Sequence, residues 1–170
     1  MKQEIINFIE FTNYQDKDNN RDLNMYICGI EECKSEHSWG PGVRDHFLIH
    51  YVVKGKGKFI INKQEYHIGA KHGFLITPDT VSFYQADQDE PWHYVWLGFN
   101  GLMAETYIKR AGLNINNPVF YYAGKELEEI IRKMISLKEI NSTNQMMLTG
   151  YLYQFLAYIS KAQTQDKGKH

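Results

Sequence analysis

The sequence lacks a basic excess, a long apolar run and a signal-peptide pattern, and each absence excludes a class of protein. Lysine and arginine total 19 against 20 acidic residues, which gives a net charge of −1. Domains that bind nucleic acid on their own are usually clearly basic. No apolar segment approaches the roughly 20 residues that cross a bilayer, and the N-terminus has no apolar core. These absences predict a cytoplasmic protein without membrane contact.

Motifs for metal binding and catalysis are also absent. The two cysteines, Cys28 and Cys33, have no second pair to complete a structural zinc site, so free thiols are expected. His46 and His50 lie about 13 Å apart along a strand, which is too far to share one metal ion. A site built from residues distant in the chain stays open. There is no GxSxG motif and no glycine-rich phosphate loop opening a helix, so we expect no cofactor and no catalytic residue.

What the chain does contain, from about residue 23 to 100, is a series of short apolar strands. Turn residues separate them at intervals of about 8 to 12 residues without helices between them, which predicts an antiparallel sandwich or a small barrel. The segment "KGKGK" at 54–58 has glycines between two β-branched runs and predicts a hairpin. The segment "SWGPGVRDH" is predicted as a loop. With 43% hydrophobic residues in 170, one well-buried domain is expected.

After Gly101 the pattern becomes helical. The segments "LMAETYIKRAGL" and "KELEEIIRKMISLKEI" each predict a helix, and Ser142 and Thr143 are expected to cap a third that ends near Ala162. This last helix has two apolar stripes. The stripe that can cover the strands consists of Leu148, Leu152, Phe155, Leu156 and Ile159. The other is predicted to be a self-association surface, with a second core contact as the alternative, and consists of Met147, Gly150, Tyr151, Gln154 and Tyr158.

Two strand faces combine groups that suit a small-molecule site. The segment 44–54 places polar side chains on one face with aliphatic ones, and these are Arg44, His46, His50 and Lys54. This face is either solvated or lines a cavity in a closed barrel. The segment 84–96 supplies aromatic rings, and these are Tyr84, Trp92, Tyr94 and Trp96. The rings either form ordinary core or provide a surface on which a sugar stacks.

Four motifs of residues 40–101 together resemble a known family. They are a G-x-G turn at Gly55 and Gly57, "GFLITP" at 73–78, "YQAD" at 84–87 and "PWHYVWLGFNG" at 91–101. In combination they resemble the N-terminal effector-binding domain of AraC-type transcription regulators. By position, the resemblance implies sugar contacts at Lys54, Tyr84, Tyr94 and Trp96. The arabinose-responsive member has arginine at the position of Lys54 and histidine at that of Tyr94, so the particular sugar is left open.

The resemblance implies a mainly β fold, a cupin-like antiparallel β-barrel of jelly-roll type, followed by two to three C-terminal α-helices. The implied division is an N-terminal arm at 1–20, the barrel at 21–101 and a helical dimerisation segment at 102–162. Residues 163–170 would be a linker or tail toward an absent DNA-binding domain. The implied partners are a small effector, a second copy bound through the C-terminal helices, and DNA only through a helix-turn-helix domain outside this chain.

The first hypothesis is therefore a ligand-sensing and dimerisation domain of an AraC-like regulator, not an enzyme, that binds a carbohydrate inside the barrel. The expected ligand-binding residues are Arg44, His46, His50, Lys54, Tyr84, Trp92, Tyr94 and Trp96. One alternative is a stand-alone cupin enzyme that acts on a sugar or a small acid, with its dependence on a metal left open. Another is a structural dimerisation module whose barrel is occluded.

Overall fold

The computed structural model describes residues 5–10 and 21–167, in which ten strands and three helices occur. The strands are β1 (Ile5–Glu10), β2 (Asn24–Glu32), β3 (Ser38–Gly42), β4 (Phe47–Lys54), β5 (Gly57–Ile61), β6 (Gln64–Ile68), β7 (His72–Ile76), β8 (Ser82–Ala86), β9 (His93–Asn100) and β10 (Val119–Tyr121). The helices are α1 (Ala104–Arg110), α2 (Glu126–Ser136) and α3 (Ser142–Lys167). The predicted series of strands followed by helices is confirmed. β3 lies within the segment predicted as a loop.

The strands form two antiparallel sheets that pack face to face as a jelly roll. One sheet has six strands in the order β1-β2-β9-β4-β7-β10, and the other has four in the order β3-β8-β5-β6. The mainly β jelly-roll fold is confirmed, but the sheets are not closed into a barrel. Among the described strands, the edges β3 and β6 of the smaller sheet pair with no strand of the larger one.

The glycines of "KGKGK" mark a crossing between the sheets, so the predicted hairpin is wrong. β4 pairs with β7 and β9, whereas β5 pairs with β6 and β8. Gly55 has a φ of +86°, and a Cβ there would lie 2.3 Å from the carbonyl oxygen of Pro91. Both the backbone conformation and the close approach therefore require glycine. The hairpin lies one strand later, where Asn62 and Lys63 join β5 to β6 with φ values of 50° and 62°.

Each face of the six-stranded sheet has its own core. On β9, Val95, Leu97 and Phe99 belong to the cluster that the helices cover, while Tyr94 and Trp96 face the smaller sheet. This alternation follows from the period of two in a strand. The predicted covering stripe of α3 is likewise buried in the helix-side core, and it comprises Leu148, Leu152, Phe155, Leu156 and Ile159.

The termini of the helices and of the chain differ in part from expectation. Asn141 caps α3, because its Oδ1 accepts a hydrogen bond of 2.9 Å from the backbone N–H of Asn144, so the predicted caps Ser142 and Thr143 are wrong. α3 continues to Lys167, beyond the predicted end at Ala162. Of the predicted arm at 1–20, residues 5–10 form β1 at the edge of the larger sheet. Residues 1–4, 11–20 and 168–170 lie outside the described residues.

None of the helices within residues 21–167 has both the length and the apolar content needed to cross a bilayer.

Candidate functional site

Five of the eight predicted ligand residues meet between the two sheets. β4, β8, β9 and the residue just before β9 carry them inward, and Phe74 of β7 completes the group. We call this group the inner aromatic cluster, and it consists of His50, Phe74, Tyr84, Trp92, Tyr94 and Trp96. Its rings contact one another and are almost entirely excluded from solvent. The sequence pattern placed these side chains on the correct strand faces, and the packing of the sheets brings the strands together.

His50 lies at the centre of the inner aromatic cluster. Its ring stacks on Phe74 with centroids 4.7 Å apart and an interplanar angle of 8°, and lies 4.8 Å from both Tyr84 and Tyr94. The side chain is only 2% exposed, and its Nδ1 has no hydrogen-bond partner among the described residues. Burial lowers the pKa of His50 well below its usual value, and the Arg44 guanidinium and the His37 imidazole nearby lower it further. The imidazole is therefore neutral at pH 7.

Arg44 lies at the rim of the cluster, in the loop between β3 and β4. Its guanidinium lies 3.9 Å from the ring centroid of Trp39, which in turn stacks on Tyr84 with centroids 6.0 Å apart. Burial raises the pKa of Tyr84 to about 12, although the Arg44 guanidinium and its hydrogen bond act in the opposite direction. Trp39 and Arg44 are only half-buried, so they form the solvent-facing side of the site.

Hydrogen bonds fix the inward rings of Trp92 and Tyr94. The indole Nε1 of Trp92 donates to the carbonyl oxygen of Ile68 at 3.0 Å. The hydroxyl of Tyr94 donates to Oε2 of Glu31 at 3.0 Å, because the two residues lie opposite each other on β9 and β2. Burial raises the pKa of Tyr94 well above its usual value, so the phenol stays protonated and able to donate.

Glycine at position 29 makes room for the ring of Trp96. Gly29 of β2 lies opposite Trp96 of β9, and a Cβ on Gly29 would lie 2.4 Å from Cζ2 of the indole and 2.8 Å from Cβ of Phe8. Trp96 is 8% exposed and makes ring contacts with Tyr94 and His50. Its position therefore depends on the absence of a side chain at Gly29.

Two predicted ligand residues lie apart from the inner aromatic cluster. His46 precedes β4, donates from Nδ1 to Oδ1 of Asp45 at 2.7 Å, and has its ring 5.0 Å from that of Tyr26. Its Nε2 is buried. Lys54 ends β4 at the opposite end of the strand and is exposed to solvent. His46 and Lys54 lie at opposite ends of β4, so their side chains are too far apart to contact one small ligand together.

Sequence reasoning missed four residues that border the cluster. Glu31 and Cys33 lie at the end of β2, and His37 and Trp39 lie at the start of β3. The sequence contains a partial signal, since Glu31 and Cys33 are two residues apart, as are His37 and Trp39, and alternate residues of an extended chain share a face. The turn at residues 35 and 36 interrupts the alternation, so the sequence does not show that the two pairs lie side by side.

The predicted self-association stripe of α3 lies at the margin of the helix-side core, against which its two tyrosines, Tyr151 and Tyr158, pack. Met147 is 45% exposed, and Gly150 and Gln154 are also exposed. Tyr151 and Tyr158 are half-buried, and the ring of Tyr158 lies 6.3 Å from that of Tyr122. A Cβ on Gly150 would meet no atom within 4 Å. The stripe thus combines two partly covered tyrosines with an open, apolar surface.

Two clefts lie on the smaller sheet, apart from the inner aromatic cluster. One, of about 550 Å³, is the more polar of the two and is bordered by Lys56, Lys58, His67 and Asp87. The other, of about 690 Å³, is more apolar and is bordered by Pro41, Ile60, Val81 and Phe83. Neither includes a predicted site residue.

Comparison with known proteins finds a matching family and relatives of greater length. The family model described as "AraC-like ligand binding domain" matches residues 24–156. The Msm operon regulatory protein of Streptococcus mutans is 35% identical over 82% of this chain and 51% of its own length. The raffinose operon transcriptional regulatory protein RafR of Pediococcus pentosaceus is 39% identical over 77% of this chain and 49% of its own. The lactose operon transcription activator of Staphylococcus xylosus is 27% identical, over 79% and 50%.

The chain spans about half the length of the curated relatives it matches. Among solved structures, a cupin 2 conserved barrel domain protein from Leptotrichia buccalis aligns with a TM-score of 0.44 and 10% identity, over 58% of this chain and 41% of that one. The named relatives are operon regulators, and the matched family is a ligand-binding domain, which confirms the prediction that the chain is not an enzyme. The chain belongs to the family of AraC-like ligand-binding domains, the N-terminal effector-binding part of AraC-type regulators.

Proposed function

We propose that the chain binds a carbohydrate effector between its two sheets and passes that signal to its helices, as the sensing and dimerising part of a cytoplasmic operon regulator. The observation that carries the proposal is the convergence of aromatic rings and hydrogen-bonding groups in the inner aromatic cluster. Sugars present apolar C–H faces that stack on indole and phenol rings, together with hydroxyl groups that need donors and acceptors.

Buried polar atoms next to the rings support a polar ligand. Nδ1 of His50, Nε of Arg44 and Oγ of Ser82 are buried without a hydrogen-bond partner among the described residues. A buried polar atom without a partner costs free energy, so native proteins seldom leave one unsatisfied. Sugar hydroxyls can donate to the neutral His50 imidazole and accept from the Arg44 guanidinium, which would satisfy both.

Access to the rings is expected from the side of Trp39 and Arg44. These half-buried residues cover Tyr84, whereas the rings of Trp92 and Tyr94 lie deeper in the packed interior. A sugar that reaches His50 would displace the Trp39–Arg44 pair from Tyr84. Binding would thus change the loop between β3 and β4 as well as the interior.

The names of the relatives favour an oligosaccharide. One relative is named for a raffinose operon and another for a lactose operon. Both sugars have several rings, so part of such an effector would extend from the interior past Trp39. This gives the exposed rim a part in selecting the sugar.

β9 offers a route from the ligand to the helices. Its inner face carries Tyr94 and Trp96, and its outer face carries Val95 and Leu97, which pack in the core that α2 and α3 cover. A ligand that shifts the inner rings would shift the outer residues of the same strand. Differential affinity for two arrangements of strand and helices is what an effector needs to bias a dimer, and through it a DNA-binding part outside this chain.

Calorimetric titration with lactose, raffinose and a panel of monosaccharides and disaccharides tests the proposal. We expect heat of binding for at least one sugar. Tyr84→Phe and Trp39→Ala should each weaken the binding of that sugar at least tenfold, which is a change of about 1.4 kcal/mol in binding free energy. Tyr66→Phe, which alters a half-buried tyrosine on β6 outside the cluster, is the control. Absence of binding for every sugar, or unchanged affinity in both variants, would overturn the proposal.

A further inference from the structure

A second group of chemically active side chains lies beside the inner aromatic cluster. Glu31, Cys33 and His37 each offer one donor atom, a carboxylate oxygen, a thiol sulfur and an imidazole nitrogen, and these atoms all lie within 4.8 Å of one another. Nε2 of His37 is 3.6 Å from Oε2 of Glu31. Such a combination of donors is uncommon in a core built from apolar side chains.

The backbone explains why the three donors meet. Glu31 and Cys33 are two residues apart at the end of β2, so both side chains point to the inner face. The backbone N–H of Cys33 donates to the carbonyl oxygen of Trp92 at 2.8 Å, which holds Cys33 in the extended ladder. The chain then turns through Glu36, whose φ is 59°. His37 follows and accepts at its carbonyl oxygen from the N–H of Ala86 in the smaller sheet.

Burial and charge suit a cation at this place. Glu31 is 4% exposed and Cys33 is 5% exposed, and coordination to a cation favours the charged form of a buried carboxylate or thiolate. The His37 side chain is 24% exposed, which gives the cluster a connection to solvent. The Tyr94 hydroxyl, hydrogen-bonded to Oε2 of Glu31, orients the carboxylate as neighbours of metal ligands usually do.

We infer that Glu31, Cys33 and His37 form a Zn²⁺ site, a function beyond sugar sensing. Zn²⁺ accepts sulfur, nitrogen and oxygen together, whereas Mg²⁺ and Ca²⁺ prefer oxygen alone. Tetrahedral Zn²⁺ needs donor atoms about 3.3 to 3.6 Å apart, so the donor atoms would have to approach one another by at most about 1.5 Å. Three protein ligands leave a fourth position for water or for an oxygen of a second ligand. The binding of Zn²⁺ releases the thiol proton of Cys33, so the apparent affinity increases with pH.

Cobalt(II) is the probe for the test, because Co²⁺ takes the place of Zn²⁺ and a thiolate ligand gives it a charge-transfer absorption that identifies sulfur. The chain is treated with EDTA, dialysed and titrated with Co²⁺, and then with Zn²⁺ in competition. We expect one equivalent of Co²⁺, a thiolate band, and loss of the band when Zn²⁺ is added. Absence of the band in the wild-type chain would overturn the inference.

Matched variants identify the ligands. Cys33→Ser should abolish the band, and His37→Asn should weaken Zn²⁺ binding at least tenfold. Cys28→Ser and His67→Asn are the controls, because Cys28 lies in the helix-side core and His67 is exposed on β6. A band that persists in Cys33→Ser, or that is lost in Cys28→Ser, would contradict the assignment. Should Cys33→Ser fail to fold by circular dichroism, the half-buried His37→Asn variant supplies the same comparison.

Discussion

The hydroxyl of Tyr94 donates a hydrogen bond of 3.0 Å to Oε2 of Glu31, across two directly paired positions of β9 and β2. This contact joins the inner aromatic cluster to the group formed by Glu31, Cys33 and His37. A buried carboxylate that accepts from a phenol is stabilised, and the phenol is held in one orientation. The proposed sugar site and the proposed Zn²⁺ site therefore meet at the hydrogen bond between Tyr94 and Glu31.

Tyr94→Phe should lower the free energy of unfolding by about 1 to 3 kcal/mol at pH 7, because it leaves the buried carboxylate of Glu31 with one donor fewer. Urea unfolding measures the change. Tyr121→Phe, at a tyrosine that is 46% exposed, is the matched control and should have no effect. Equal stability of Tyr94→Phe and wild type would show that the hydrogen bond contributes nothing measurable.

The neutral state of His50 should make the stability of the fold dependent on pH. Its folded pKa lies well below the unfolded value of about 6.5, so below that pH the unfolded chain binds more protons than the folded one. The contribution of the neutral His50 to the free energy of unfolding is fully present above about pH 6.5. As the pH falls from there toward the folded pKa, that contribution is lost at up to about 1.4 kcal/mol per pH unit.

Replacement of His50 isolates its contribution from those of the other histidines. His50→Phe keeps a ring between Phe74 and Tyr84 and should flatten the dependence of unfolding free energy on pH between pH 6.5 and 5. His67→Gln, at an exposed histidine, should leave the slope unchanged. Chemical denaturation at several pH values gives the slopes, and an identical slope in wild type and His50→Phe would contradict the prediction.

Gly29→Ala should displace the indole of Trp96, since the new Cβ would lie 2.4 Å from Cζ2 of its ring. We expect a loss of about 1 to 3 kcal/mol in unfolding free energy and a change in the tryptophan fluorescence. Gly69→Ala is the control, because a Cβ there meets no atom within 4 Å. Equal unfolding free energies in the two variants would contradict the prediction, because the indole of Trp96 would then move aside without a loss of stability.

Tyr151→Glu should produce monomers if the exposed stripe of α3 is the self-association surface. The glutamate would place a charge among Met147, Gly150 and Tyr158, where a partner helix would have to desolvate it. Tyr121→Glu makes the same change at an exposed tyrosine on β10 and should leave the oligomeric state as it is. Sedimentation velocity measures both, and a dimer that persists in Tyr151→Glu would place the interface elsewhere.

The helices and most strand faces were predictable because they depend on local periodicity. The division of β9 into an aromatic face and an aliphatic one follows from alternation alone, and so does the buried stripe of α3. The pairing of strands was harder to predict from the sequence. The glycines of "KGKGK" signal a turn, but only the packing of the sheets decides that the turn leads from one sheet to the other rather than into a hairpin.

The arrangement of the candidate site was likewise only partly predictable from the sequence. Alternation placed His50 and Tyr94 on inward faces, but it could not show that Lys54 ends in solvent. The meeting of Glu31 with His37 depends on a turn that carries the chain from one sheet to the other. The sequence by itself determined which residues alternate, which segments are helical and which family the chain resembles. Only the tertiary structure decided which faces oppose each other, because contacts between distant strands arise from the packing of whole sheets.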